Sequence, residues 1–172
     1  MKVFLRPITL EDGSYIVKWR NDTKIKNHCF QKTDVTIESN KKFFEENVLT
    51  GKYKQYMVIR VDDDFGVVSY PIATVYLKDI DYNNRKCELC IFTSDDQEWN
   101  TESQAMAIRQ LLDVAFSECK VNKVYSYVFC NNHDEVNLML NSGFYVEARL
   151  EKEAVDTNGD YVDAYRMAVF KK

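Results

Sequence analysis

Glycine is scarce in this chain: five among 172 residues, where the usual frequency of roughly 7% would supply about twelve. Prolines number only two. A phosphate loop built from repeated glycines is therefore disfavoured from the outset. A basic excess is missing as well. Twenty-three Lys and Arg face 27 Asp and Glu, for a net charge of −4 and a pI near 5.3. General nucleic-acid binders carry cations to neutralise phosphates, so the balance favours a small-molecule or cationic partner and no nucleic acid. Nothing approaches the roughly 18 consecutive apolar residues of a membrane-spanning helix. The opening MKVFLRPITLEDG has no apolar secretory core. A cytoplasmic protein with no membrane partner is expected.

Five cysteines are present, Cys29, Cys87, Cys90, Cys119 and Cys130. An odd count without a secretory signal points to reduced thiols. The pair Cys87-x-x-Cys90 invites a redox or zinc reading. Its flanks, KCELCIF, look like a strand, in which residues three apart point to opposite faces. No second Cys or His pair completes a ligand set. The thiols are expected to pack as small hydrophobes, with no metal.

With 45% hydrophobic and 29% charged residues, the chain reads as one folded domain over 1–172. Val3 to Ile8 is strand-like, and Thr9 with Asp12 three residues on resembles a capping box. Tyr15, Ile16 and Trp19 share a face of the helix from Leu10 to Arg20. Thr36 caps a second helix, Ile37 to Val48, whose Phe43 and Phe44 read as core. Three strands follow, Tyr56–Val61, Val67–Leu77 and Lys86–Thr93. Asp62 to Gly66 and Asp81 to Asn84 turn the chain between them. Pro71 marks an edge or a bulge. The acidic run Asp62-Asp63-Asp64 reads as a solvated turn.

The strongest helix spans Thr101 to Cys119, with an apolar stripe of Ala105, Ile108, Leu112, Ala115 and Phe116. A strand, Val121–Phe129, and a short helix, Asp134–Leu140, come next. Asn141-Ser142-Gly143 then supplies a left-handed stop. Strands Phe144–Ala154 and Tyr161–Phe170 close the chain. The order predicts an α+β fold on a mixed seven-stranded sheet.

That order, with several local segments, resembles the GNAT superfamily of N-acetyltransferases. The local sequences resemble its branch acting on ribosomal-protein amino termini, polyamines and nucleotide-linked amino sugars. The segments are Leu5-Arg6-Pro7-Ile8, Trp19-Arg20-Asn21-Asp22, Ile80 to Leu89, Ala107 to Phe116, Val128 to Asn132, Ser142-Gly143-Phe144 and Gly159 to Asp163. Each is weak alone; their order and spacing are specific.

The resemblance implies a splay between the fourth and fifth strands that takes the pantetheine arm of acetyl-CoA. Backbone groups at Ile91, Phe92 and Thr93 would bond that arm. The pyrophosphate would sit on the start of the following helix, at Asn100, Thr101, Glu102, Ser103, Gln104 and Ala105. Asn132 would contact the pantetheine chain. This loop is degenerate: Asn100, Glu102 and Gln104 stand where the family carries small residues, mostly glycines. A carboxylate at Glu102 opposes a pyrophosphate unless it turns outward.

Glu88 is the candidate general base, or else a surface strand glutamate. Arg20, Asn21 and His28 are candidate acceptor-binding residues. Arg20 suits a phosphate or carboxylate bidentately, or else a structural ion pair. Many relatives carry a tyrosine general acid where this chain has Met139, so no general acid is assigned. The implied reaction is acetyl transfer from acetyl-CoA to a primary amine. The acceptor is a small molecule, with a lean to a nucleotide-linked amino sugar, or a protein N-terminus. The alternative is a non-catalytic or regulatory binding module that keeps the fold. A monomer or homodimer is expected.

Overall fold

Backbone alternation and short turns build one sheet of seven strands in the order β1-β2-β3-β4-β5-β7-β6. The computed structural model describes residues 2–62, 68–92 and 94–172. Its strands are β1 (Lys2–Pro7), β2 (Lys54–Asp62), β3 (Val68–Asp81), β4 (Lys86–Phe92), β5 (Lys123–Phe129), β6 (Tyr145–Val155) and β7 (Tyr161–Phe170). Every neighbouring pair is antiparallel except β4 and β5. The expected mixed sheet is borne out. Of the turn expected from Asp62 to Gly66, residues beyond Asp62 lie outside the described residues.

The parallel pair is short. Its register runs only from Lys86 opposite Lys123 to Glu88 opposite Tyr125. Beyond Glu88 the strands part, and β5 continues along β7 to Phe129 opposite Ala164. This is the expected splay.

Pro71 lies beyond the β3–β4 ladder, which begins at Thr74, so β2 alone pairs β3 there. It also sits at an irregularity. Val58 faces Ala73 and Ile59 faces Pro71, which leaves Ile72 as the extra residue of a bulge. A bulge is where a strand tolerates the missing N–H of proline.

Five α-helices cover the two faces: α1 (Gly13–Asn21), α2 (Thr23–Lys26), α3 (Ile37–Phe43), α4 (Thr101–Asp113) and α5 (His133–Asn141). A single 3-10 turn, Leu10–Asp12, leads into α1. The Asp12 carboxylate accepts from the Thr9 backbone N–H at 2.8 Å and is held by Arg6 at 2.7 and 3.1 Å. α2 was not expected separately. The Asp22 side chain accepts from Lys24 N–H and starts it afresh. α3 and α4 each end in one wider turn, Phe44–Val48 and Val114–Glu118. Gly143 adopts φ +91°, as a left-handed stop requires.

Alternation along the strands divides the core in two. Ala73, Val75, Leu77, Cys87, Leu89, Val124 and Val128 pack with Ala107, Ile108, Leu111 and Ala115 on the α4 face. The buried stripe of α4 is thus set differently from the expected one, since Ala105 is exposed and Leu112 only half-buried. On the opposite face Met57, Ile59 and Phe92 pack with Ile16, Trp19 and Ile25 of α1 and α2. Each fully buried Leu or Ile side chain contributes about 1.5–3 kcal/mol. Gln110 of α4 reaches the outer edge of β1, accepting from Leu5 N–H at 3.1 Å and donating to Val3 O at 2.9 Å.

Candidate active site

The strand residues that point away from α4 open into a cavity of about 410 Å³. From β3 come Thr74, Tyr76 and Lys78, and from β4 Glu88 and Cys90. Ile91 and Phe92 line it where β4 leaves β5, and Ser126 and Tyr127 where β5 leaves β4. α1 adds Arg20, α5 adds Glu135, and the segment after α2 adds His28, Cys29 and Phe30.

That segment is pinned at several places. The Asn21 amide donates to Val35 O and its oxygen accepts from Val35 N–H, both at 2.8 Å. Thr157, in the β6–β7 turn, bonds Asn27. Phe30 packs its ring on Phe129, with centroids 4.9 Å apart.

Glu88 is a buried wall of this cavity rather than a surface glutamate, being only 7% exposed. Lys78, its partner across the strand register, places Nζ 3.3 Å from Oε1. The Cys90 thiol donates to the same oxygen at 3.3 Å. Burial pushes the Glu88 carboxyl above its ordinary value, and Lys78 offsets part of that rise. Burial also holds the Cys90 thiol well above its usual range and pushes Cys87 up to about 12. The two thiols lie apart, Cys87 in the α4-side core and Cys90 in the cavity. All five cysteines are free.

Arg20 lays its guanidinium 4.5 Å from the centre of the Phe92 ring. It makes no ion pair among the described residues. The structural salt bridge considered for it is therefore absent there. Two of the three cavity carboxylates face lysines, Glu88 with Lys78 and Asp34 with Lys26, whereas Glu135 is held by the Asn132 amide and meets no lysine or arginine among the described residues. His28 lines the cavity. Asn21 does not, because both ends of its amide are spent on Val35. Phe43, expected in the core, lines the cavity instead and packs edge-on against Tyr53 at 5.0 Å.

The start of α4 stands apart from the cavity lining. Asn100 is its N-cap, and Oδ1 accepts from Glu102 N–H at 3.1 Å and Ser103 N–H at 3.2 Å. Ser103 is buried, its hydroxyl donating to Glu98 O at 2.6 Å. Gln104 donates to Trp99 O at 3.1 Å. Thr101, Glu102 and Ala105 are exposed, so the Glu102 carboxylate turns outward. Thr93 lies outside the described residues. Asn132 caps α5, and its Nδ2 donates to Glu135 Oε2 at 2.7 Å.

The parting of two strands is the deciding observation: a parallel pair separates after three residues, and α4 is the next element of the chain. A model of the acetyltransferase (GNAT) domain matches residues 2–145. The chain belongs to the GNAT acetyltransferase family. GNAT enzymes are N-acetyltransferases that draw the acetyl group from acetyl-CoA.

This GNAT chain is similar to several named acetyltransferases. It is 22% identical to a spermidine N(1)-acetyltransferase of Vibrio cholerae over 167 residues, 97% of this chain and 92% of that one. The crystal structure of spermidine N-acetyltransferase from Vibrio cholerae in complex with CoA and spermine superposes with a TM-score of 0.85 at 23% identity. That match covers 98% of this chain and 95% of the other. A chimera between that enzyme and hSSAT gives 0.80 at 22% identity, covering 99% and 96%.

The residues present suit acetyl-CoA unequally along its length. Past Glu88 the facing edges of β4 and β5 make no ladder with each other. Their backbone groups are available to an extended arm, as an added strand would use them. The N–H groups at the α4 start, by contrast, are held by Asn100, so a pyrophosphate must displace that side chain. Among the described residues no His, Cys, Asp or Glu cluster could hold a metal ion. No helix there is long and apolar enough to cross a membrane.

Sequence reasoning missed Lys78, Tyr76 and Glu135 as cavity residues. Glu135 carried a signal: Asn132-x-x-Glu135 has the spacing of a capping box, which places the glutamate over the helix start beside Asn132. Lys78 carried none, because it meets Glu88 through strand register.

Proposed function

We propose that this GNAT domain acetylates a primary amine on a small molecule that also bears an anionic group, with a nucleotide-linked amino sugar as the leading class. Arg20 carries this reading: a cation on the cavity wall, stacked on Phe92 and paired to no carboxylate among the described residues. A guanidinium so placed suits a phosphate or carboxylate, which it grips with two parallel N–H bonds.

A polyamine, the substrate in the names of the Vibrio cholerae relatives, would call for free carboxylates facing each ammonium. Here Glu88 and Asp34 are paired already, Glu135 alone is left without a cation partner among the described residues, and a second ammonium would meet Arg20. A protein N-terminus lacks the phosphate that Arg20 fits.

In this reading Glu88 accepts the proton of the attacking amine. Lys78 orients its carboxylate, and burial raises its proton affinity toward that task. The β4 edge at Ile91 and Phe92 would hold the donor arm, with Asn132 beside it. His28 lines the acceptor side. Acetyl-CoA supplies the activated acetyl group.

The test compares acetyl transfer to a uridine-diphosphate amino sugar with transfer to spermidine, in the wild type and in Arg20→Ala. Losing a charge-assisted contact costs about 1.5–3 kcal/mol, so KM for the nucleotide sugar should rise roughly 10- to 150-fold in the variant. Faster transfer to spermidine, indifferent to Arg20→Ala, would overturn the reading.

A further inference from the structure

Acyl transfer from a thioester releases a thiolate that takes up a proton, and a positioned acid at that point speeds the step. Met139 cannot serve. It is fully buried in the α4-side core and does not line the cavity. One turn earlier on the same helix stands Glu135, and residues four apart share a helix face. Glu135 lines the cavity together with Ile91, Phe92, Ser126 and Tyr127, the residues where β4 and β5 part.

We propose that Glu135 is the general acid of the transfer, giving its proton to the departing thiolate. This rests on the acetyltransferase reading above and names a further catalytic residue within it.

Asn132 holds the carboxyl in place through Nδ2 and Oε2 at 2.7 Å. Oε1 accepts no hydrogen bond among the described residues and Glu135 is half-buried, so this is the oxygen left to carry the proton. Burial pushes the carboxyl up to about 7, against an ordinary value near 4.3. A substantial fraction is therefore protonated at neutral pH. Proton transfer from such an acid to an alkanethiolate, which is the stronger base, runs downhill.

The charged and titratable groups on the walls around Glu135 are Arg20, His28, Cys29, Asp34, Tyr53, Tyr76, Lys78, Glu88 and Cys90. Tyr127 contributes from β5, Lys32 from the segment after α2, and His133 and Asp134 from α5 itself. The helix start favours the anion, which opposes the effect of burial.

The step balances. The amine nitrogen bonds the acetyl carbon, the C–S bond breaks, the proton of the amine passes to Glu88, and the O–H proton of Glu135 passes to sulfur. Solvent then returns a proton from Glu88 to Glu135.

The experiment pairs Glu135→Gln and Glu135→Asp with two donors. These are acetyl-CoA and 4-nitrothiophenyl acetate, whose leaving thiolate needs no proton. With acetyl-CoA, Glu135→Gln should lower kcat about 100-fold and abolish the decline of kcat above about pH 7, while Glu135→Asp retains part of both. With the nitro donor the three proteins should be nearly equal. Independently of turnover, carbon-13 NMR of the unliganded protein should show a carboxyl titrating near 7 that Glu135→Gln removes. Equal losses with both donors would overturn the proposal, as would a Glu135 titration near 4.5. A wild type that acetylates no amine would instead sink the acetyltransferase reading, and the NMR midpoint would still judge Glu135.

Discussion

Replacing Asn100 by glycine should tighten coenzyme A binding while leaving the fold standing. In the structure the Asn100 oxygen takes two N–H groups, from Glu102 and Ser103, at 3.1 and 3.2 Å. Those N–H groups open the 13-residue helix α4 and are the donors a pyrophosphate would use. Both bonds must break before it can settle. Each is worth about 0.5–1.5 kcal/mol net, so the exchange withholds roughly 1–3 kcal/mol from the cofactor. Glycine at an N-cap costs only a few tenths of a kcal/mol relative to asparagine. The variant should therefore bind coenzyme A on the order of 10-fold more tightly.

Calorimetric titration measures this, with pantetheine as the control ligand, since it lacks the diphosphate and should not respond. Thermal unfolding confirms that the variant is folded. Equal gains for both ligands, or no gain for coenzyme A, would refute the competition argument. Glu102 matters less than its charge suggests. Its side chain is exposed, and two charges 4 Å apart interact by about 1 kcal/mol in water, against about 4 at an effective dielectric near 20.

Glu88→Gln should lower kcat by roughly 100- to 10,000-fold with coenzyme A affinity unchanged by titration; an unaltered kcat would remove Glu88 from the chemistry. Asp12 offers a pH test. Burial alone would raise its carboxyl, but the Arg6 and Thr9 hydrogen bonds prevail and hold it below the ordinary value. Its stabilisation is therefore present above the ordinary carboxylate range and is lost as pH falls through the lowered folded value. Asp12→Asn should cost about 1–3 kcal/mol near pH 7 and progressively less in acid, read by thermal unfolding; a gap independent of pH would exclude the ion pair as its source.

Local chemistry was legible in the sequence, and register was not. Thr9 with Asp12, Thr36 and Gly143 are caps or stops that depend on neighbours within a few residues, and each sits where it reads. The mixed seven-stranded sheet and its splay followed from the order of elements and from resemblance. The parity of Glu88 and Cys90 was readable as well, because strand side chains alternate. That Glu88 would meet Lys78 depended on how β3 lies against β4, including a shift between Lys78 and Asp81. The exact α4 stripe depended on the sheet it meets. The cavity wall made by Phe30, Phe43 and Tyr53 depends on where the segment after α2 is pinned, which needs Val35 and the distant Thr157. An asparagine such as Asn21 cannot be told from a ligand-binding one until its partners are known.

The brief β4–β5 ladder makes the sheet mechanically uneven. Four strands on one side and three on the other are joined through the registers of Lys86, Cys87 and Glu88, and the remainder of that seam is open. A donor lying there supplies the missing rungs. Bound donor then acts as a splint across two plates, and the slowing of amide exchange should be concentrated along Leu89 to Phe92.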